Sequence, residues 1–197
     1  MIFIWSDTHF HHENILGYTD RHKVWGSVPE MNAGLIENAR SVVTPGDVLL
    51  TGGDAVMGQR IKTLPIVEEL PGIRQLVMGN HDSCHPSNKK AAMWQQEYAK
   101  YFAWMGLDKY LKIDGLMLRL NHFPRTGDSH DTDRYPNWRP EQGIEDVLLH
   151  GHVHSEDVIT GPDQIHIGVD ADWTPYGVER YHPIPLTTIL EVIKEKL

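Results

Sequence analysis

Val147-Leu148-Leu149-His150-Gly151-His152-Val153-His154 places three imidazoles within five residues at the end of an apolar run. A short Val- and Leu-rich run suits a buried strand, and this one ends in a loop rich in the commonest metal-ligating side chain. The arrangement recurs along the chain. Asp7-Thr8-His9 closes the run 1–6, Asn80-His81-Asp82 closes 73–78, and Asn121-His122 closes 116–120. A polar, solvated loop would account for one such cluster. Four clusters that each follow a strand point to a metal site assembled at strand ends.

The same reading gives the fold class. Apolar runs at 2–5, 48–51, 73–78, 110–113, 116–120, 147–149 and 165–169 are expected strands, each followed by turn or loop residues. Helical spacing runs through 29–40 (Met31, Leu35, Ile36), through 61–70, and through 88–105 (Ala92, Met93, Tyr98, Phe102, Met105). A last helix is expected over 186–197, started by Pro185. Alternating strands and helices predict an α/β fold. Asp114-Gly115 supplies the positive φ of a tight hairpin turn, so the second half is expected to be richer in strands, with antiparallel pairing. The segment 124–140 lacks periodicity and reads as a long loop, of the kind that is usually functional or disordered. With no internal repeat, low-complexity tract or linker, 1–197 reads as one domain.

At 197 residues the chain is long enough to bury a core without disulfides. Its formal net charge of -9 argues against a general nucleic-acid or anionic-membrane binder, because phosphate contacts are normally made by clustered Lys and Arg. No stretch approaches the roughly 18 apolar residues of a membrane span, and 1–5 is too short for a signal peptide and lacks its basic flank. The lone Cys84 fits a reducing compartment, and a cytoplasmic protein is expected.

Taken in order, the candidate ligands are Asp7, His9, Asp54, Asn80, His122, His152 and His154. Mixed carboxylate, imidazole and amide oxygen suits borderline or hard divalent ions better than a thiolate site would. Two ions need about this many side chains if one carboxylate is shared. Asp54 is the natural bridge, since Gly52 and Gly53 let the backbone approach closely there.

In this order the blocks Asp7-x-His9, Gly53-Asp54, Gly79-Asn80-His81-Asp82, His122 and Gly151-His152-x-His154 resemble the calcineurin-like metallophosphoesterases, in particular the compact bacterial and phage members. The resemblance implies a four-layer α/β/β/α sandwich with mixed sheets. It implies that Asp7, His9, Asp54 and His154 hold one metal and that Asp54, Asn80, His122 and His152 hold the other. Manganese is the first expectation for the pair, with iron, zinc or nickel as alternatives. The implied chemistry is phosphate-ester hydrolysis by a water activated between two ions roughly 3.5–4 Å apart. His81 would contact the phosphate and protonate the leaving alkoxide, with Asp82 orienting its ring. His12 and Asn14 also follow the compact members' pattern and are candidate substrate contacts. His11, His85, His130, His150 and His166 read as solvated or packing histidines, and Cys84 as a packed cysteine.

Relatives acting on phosphoproteins clamp a phosphomonoester dianion with arginines beside these blocks. Here Met78 precedes the 79–82 block and Ala55, Val56 and Met57 follow Asp54. A phosphodiester carries less charge, so a small nucleotide-like diester such as a cyclic nucleotide is the favoured substrate. Arg125, with Arg134 and Arg139, is a candidate substrate contact from the 124–140 loop, where Tyr135 and Trp138 could stack on a base or simply pack on the domain. The alternatives are a phosphomonoesterase, including a protein phosphatase, and a protein-binding scaffold like the retromer subunit of this fold. Scaffolds tend to lose ligands that this chain keeps. A repair nuclease would need a basic tract for duplex DNA that the chain lacks.

Overall fold

Alternation along the first strand sets the layers. In β1 (Ile2–Trp5) the side chains of Phe3 and Trp5 enter one apolar cluster and Ile4 enters another. β2 (Val48–Thr51) divides Leu49 and Leu50 in the same way, and β3 (Ile73–Val77) divides Leu76 and Val77. The period of two puts successive residues on opposite faces, so a sheet apolar on both faces needs cover on both. The computed structural model describes residues 1–128, 130 and 132–196. Ser129 and Asp131 of the expected loop, and Leu197 of the expected last helix, lie outside the described residues.

β1, β2 and β3 pair in parallel, and β4 (Trp104–Gly106) extends them. The second sheet contains β5 (Asp108–Ile113), β6 (Leu116–Asn121), β7 (Val147–His150), β8 (Ile159–Gly161) and β9 (Gln164–His166). β10 (Ile184–Pro185) returns to the first sheet, antiparallel to β1. The orders are β10-β1-β2-β3-β4 and β5-β6-β7-β9-β8, and both sheets are mixed. The expected hairpin is present: Asp114 (φ 51°) and Gly115 (φ 85°) turn β5 into β6.

The helices are α1 (Ile15–Tyr18), α2 (Val28–Val42), α3 (Arg60–Thr63), α4 (Ala91–Tyr98) and α5 (Leu186–Lys196). Met31, Leu35 and Ala39, spaced by four on α2, are fully buried with Phe3, Trp5 and Leu49. Inner-face residues of both sheets form the other cluster, where Ile4, Leu50 and Val77 meet Leu118, Leu120, Leu149 and Ile165, with Leu186, Ile189 and Ile193 of α5. Each such side chain contributes roughly 1.5–3 kcal/mol by leaving water. No helix among the described residues is long and apolar enough to cross a membrane.

Two expected helices are corrected. The run 61–70 is a four-residue helix followed by a 3-10 turn, Leu64–Glu69, because Pro65 has no N–H to continue the ladder. The run 88–105 is helical only in α4, and Trp104–Gly106 instead covers the open edge of β3. The helical spacing there came from packing, since Phe102 stacks on Tyr98 in a turn (centroids 6.2 Å apart).

The parallel strands share a direction. Asp7, Asp54 and Asn80 follow β1, β2 and β3, while His122 and His152 follow β6 and β7, so all five leave carboxyl ends of strands, where open α/β sheets bind ligands. The two sheets join there: Val169 N–H donates to Ser6 O at 3.0 Å, and His122 Nδ1 lies 2.9 Å from Gly52 O.

Candidate metal centre

Backbone strain is concentrated at these strand ends. Nine described non-glycine residues have positive φ, and five are candidate ligands: Asp7 (58°), His9 (49°), Asp54 (51°), His152 (73°) and His154 (52°). The left-handed region costs such residues on the order of 1–2 kcal/mol each, so surrounding bonds must hold them. Asp7 N–H donates to Gly53 O and His9 N–H to Asp54 O, both at 3.0 Å, which zips the first two blocks together. The buried Asp82 carboxylate accepts from the backbone N–H groups of Asp54 (2.9 Å), Ala55 (3.1 Å) and Gly79 (2.9 Å). Asp82 therefore does not serve as the expected partner of the His81 ring. Both of its oxygens are committed to the backbone that carries Asp54. Burial, and then the Asp54 charge, push its carboxyl up to about 7, against the pull of the amides.

The glycines of the blocks are there for space. A β-carbon on Gly79 would stand 2.2 Å from Asp54 Oδ1, and one on Gly151 would stand 2.2 Å from Asp7 Oδ2. Only hydrogen fits beside either carboxylate.

The candidate ligands converge. Asp7, His9 and His154 offer ligand atoms all within 4.8 Å of one another, and so do Asp7, Asp54 and His122. Asp54 Oδ2 lies 3.7 Å from His9 Nε2 and 3.5 Å from His122 Nε2, so one oxygen faces a histidine of each expected group. Asp7 Oδ1 lies 3.9 Å from both His9 Nε2 and His154 Nε2. Asn80 Oδ1 is 3.0 Å from His122 Nε2. The His152 backbone N–H donates to the Asp7 carboxylate at 3.0 Å, and its ring lies 5.3 Å from that of His122.

A divalent cation fits this set. Both ring nitrogens of His9 are buried without a hydrogen-bond partner, although two carboxylates stand within 4 Å of Nε2. Orphaned buried polar atoms of this kind call for an explanation, and a cation between imidazole and carboxylates supplies one. Burial drives the His9 ring well below its ordinary pKa despite Asp54, leaving the neutral form that a metal requires.

The chain is 31% identical to the gene 66 protein of Mycobacterium phage L5 over 84% of each chain. Its fold matches a protein of unknown function, AQ665 from Aquifex aeolicus, with TM-score 0.69, 26% identity and 98% of each chain covered. The chain belongs to the same family as this phage protein. An archaeal phosphodiesterase is a more distant match, at 20% identity and TM-score 0.45 over 86% of this chain and 83% of that one. No protein-family model matches the chain.

A cavity of about 480 Å³ opens over the centre, lined by His9, His12, Ile15, Tyr18, Asp54, His81, Arg134, His152 and His154 among others. His81 is exposed at the rim. Its backbone N–H donates to Asp54 Oδ1 at 2.8 Å, and its carbonyl accepts from Arg60 Nη2 at 2.6 Å. His12 reaches the cavity, with its ring 5.3 Å from that of His9. Asn14, the other expected contact, does not line it and stays exposed before α1, where its carbonyl accepts from Gly17 N–H.

Arg125 is a second correction. Its guanidinium pairs with Glu145 at 2.6 Å and Asp163 at 2.8 Å, so carboxylates of the second sheet's connections hold it away from the cavity. The arginine that does line the cavity is Arg134, which is paired with Asp128 at 2.8 Å. Tyr135 reaches the site, with its hydroxyl 3.4 Å from Asn80 Nδ2, whereas Trp138 packs edge-on against His85 outside the cavity. Cys84 is buried, and burial raises its thiol pKa far above the ordinary range.

Three residues absent from the sequence reading belong to this region. Asp170 Oδ2 lies 2.7 Å from His154 Nδ1, Arg21 is fully buried against Asp170, and Asp128 Oδ2 lies 3.0 Å from His152 Nε2. Asp170 had a legible signal, because it follows the apolar run 165–169 as Asp7 and Asp54 follow theirs. Arg21 and Asp128 had none.

Proposed function

We propose that the protein is a phosphodiesterase that hydrolyses a small nucleotide-like diester with two divalent cations, manganese first. The observation that carries this reading is the convergence of ligand atoms in two groups that share Asp7, Asp7 with His9 and His154 and Asp7 with Asp54 and His122, beside buried His9 nitrogens that have no hydrogen-bond partner. Asp7, His9, Asp54 and His154 would hold one ion and Asp54, Asn80, His122 and His152 the other, with Asp54 shared. When bound, the pair supplies Lewis-acid charge on the phosphoryl oxygens and lowers the pKa of a coordinated water.

The remaining work falls to side chains. His81, at the rim with both backbone groups tied down, can reach a leaving-group oxygen and give it a proton. Ile15 and Tyr18 give the cavity an apolar wall, and its volume suits a nucleotide-sized ligand. Preference for a diester follows from charge: among the described residues the cavity's one arginine, Arg134, already faces a carboxylate. A dianionic monoester has no matching clamp there.

With added Mn2+, hydrolysis of bis(4-nitrophenyl) phosphate is expected to exceed that of 4-nitrophenyl phosphate, and a panel of cyclic and linear nucleotides then narrows the substrate. A clear monoester preference overturns the diester assignment. Hydrolysis of neither by the metal-loaded protein leaves the scaffold reading in its place.

A further inference from the structure

Outside the seven expected ligands, each histidine of the 151–154 block has its own carboxylate. His154 Nδ1 lies 2.7 Å from Asp170 Oδ2. Asp170 in turn accepts from Arg21 Nε and Nη2, both at 2.8 Å, and the same guanidinium donates to the carbonyls of Asp7 (2.6 Å) and Thr8 (2.9 Å). His152 is held from the other side, with its Nε2 3.0 Å from Asp128 Oδ2. Asp128 also accepts from Arg134 Nη2 at 2.8 Å and Arg139 Nη2 at 2.9 Å.

An ionised carboxylate beside an imidazole nitrogen fixes the proton there and leaves the lone pair on the other nitrogen. By this rule His154 would carry its proton on Nδ1, with Nε2 3.9 Å from Asp7 Oδ1. His152 would carry its proton on Nε2, which leaves the lone pair on Nδ1. We propose that Asp170, backed by Arg21, and Asp128, backed by Arg134 and Arg139, are positioning residues that lock His154 and His152 in opposite tautomers and so set the affinity of the two metal positions separately. Asp170 belongs to the buried core and Asp128 to the long loop, so one position is tuned by the scaffold and the other by the loop that carries Arg134 into the cavity.

This inference rests on the two-metal reading, and calorimetric titration of the metal-free protein with Mn2+ tests the two separately. Wild type that binds fewer than two ions overturns that reading. Given two binding steps, Asp170→Asn and Asp128→Asn are each expected to weaken one step about 10–100-fold and spare the other. Long-range 1H–15N spectra of the metal-free protein should show His154 protonated at Nδ1 and His152 at Nε2, with Asp128→Asn changing only His152. Two unchanged steps in Asp128→Asn, or the same tautomer in both histidines, overturn the inference. Asp128 lies outside the core, so its variant decides the matter even if Asp170→Asn fails to fold.

Discussion

His81 is the side chain whose proposed role separates most cleanly from that of its neighbours. Its backbone is tied to Asp54 and Arg60, while its ring stands at the rim. His81→Ala should therefore retain both Mn2+ ions. It should lower kcat for an alkyl phosphodiester by about 10²–10⁴-fold, the usual contribution of a positioned acid. Bis(4-nitrophenyl) phosphate, whose leaving group needs no proton, should lose far less, and an equal loss on both esters would remove the acid role. Residue types at motif spacing were legible here because the chemistry dictates them: glycine where only hydrogen clears a carboxylate, carboxylate or imidazole where a strand ends. Asp82 was misread because its sequence neighbour is His81, whereas its oxygens meet the amides of Asp54, Ala55 and Gly79. Arg21 could not be read at all, since its partner Asp170 is 149 residues away.

Elements were legible where one period governed them. α2 shows why: Ser27 Oγ accepts from Glu30 N–H at 3.4 Å, Glu30 Oε2 accepts from Gly26 N–H at 2.9 Å, and Pro29 occupies the first turn. Local chemistry starts this helix, and its apolar face at four-residue spacing then buries it. Ser27→Ala should cost about 0.5–2 kcal/mol, read as a lower denaturant midpoint with an unchanged slope. Because α2 packs on the outer face of the first sheet, kcat and Mn2+ affinity should stay the same. A loss of activity without a loss of stability would contradict that placement. β4 and β10 escaped the sequence reading because two- and three-residue strands carry no period of their own, and each is defined by the edge it covers. The 61–70 segment had the spacing of a helix, but Pro65 broke its ladder.

Across the whole molecule, the proposed ligands divide between the sheets. Asp7, Asp54 and Asn80 follow strands of the first sheet, and His122, His152 and His154 follow strands of the second. Ions held by both groups would cross-link the two sheets at their carboxyl ends, where Asp7 and Asp54 would otherwise face each other as buried carboxylates. Metal binding should then register as global stability. Each position filled to about 100 times its dissociation constant adds about 2.7 kcal/mol, equivalent to roughly 5–10 °C of melting temperature for a chain of this length. Melting with excess Mn2+ and with EDTA should differ by at least that amount, and Asn80→Ala should lose part of the difference. A melting temperature indifferent to Mn2+ would mean that ions, if they bind, do not span the two sheets, and the assignment of ligands from both would fail with it.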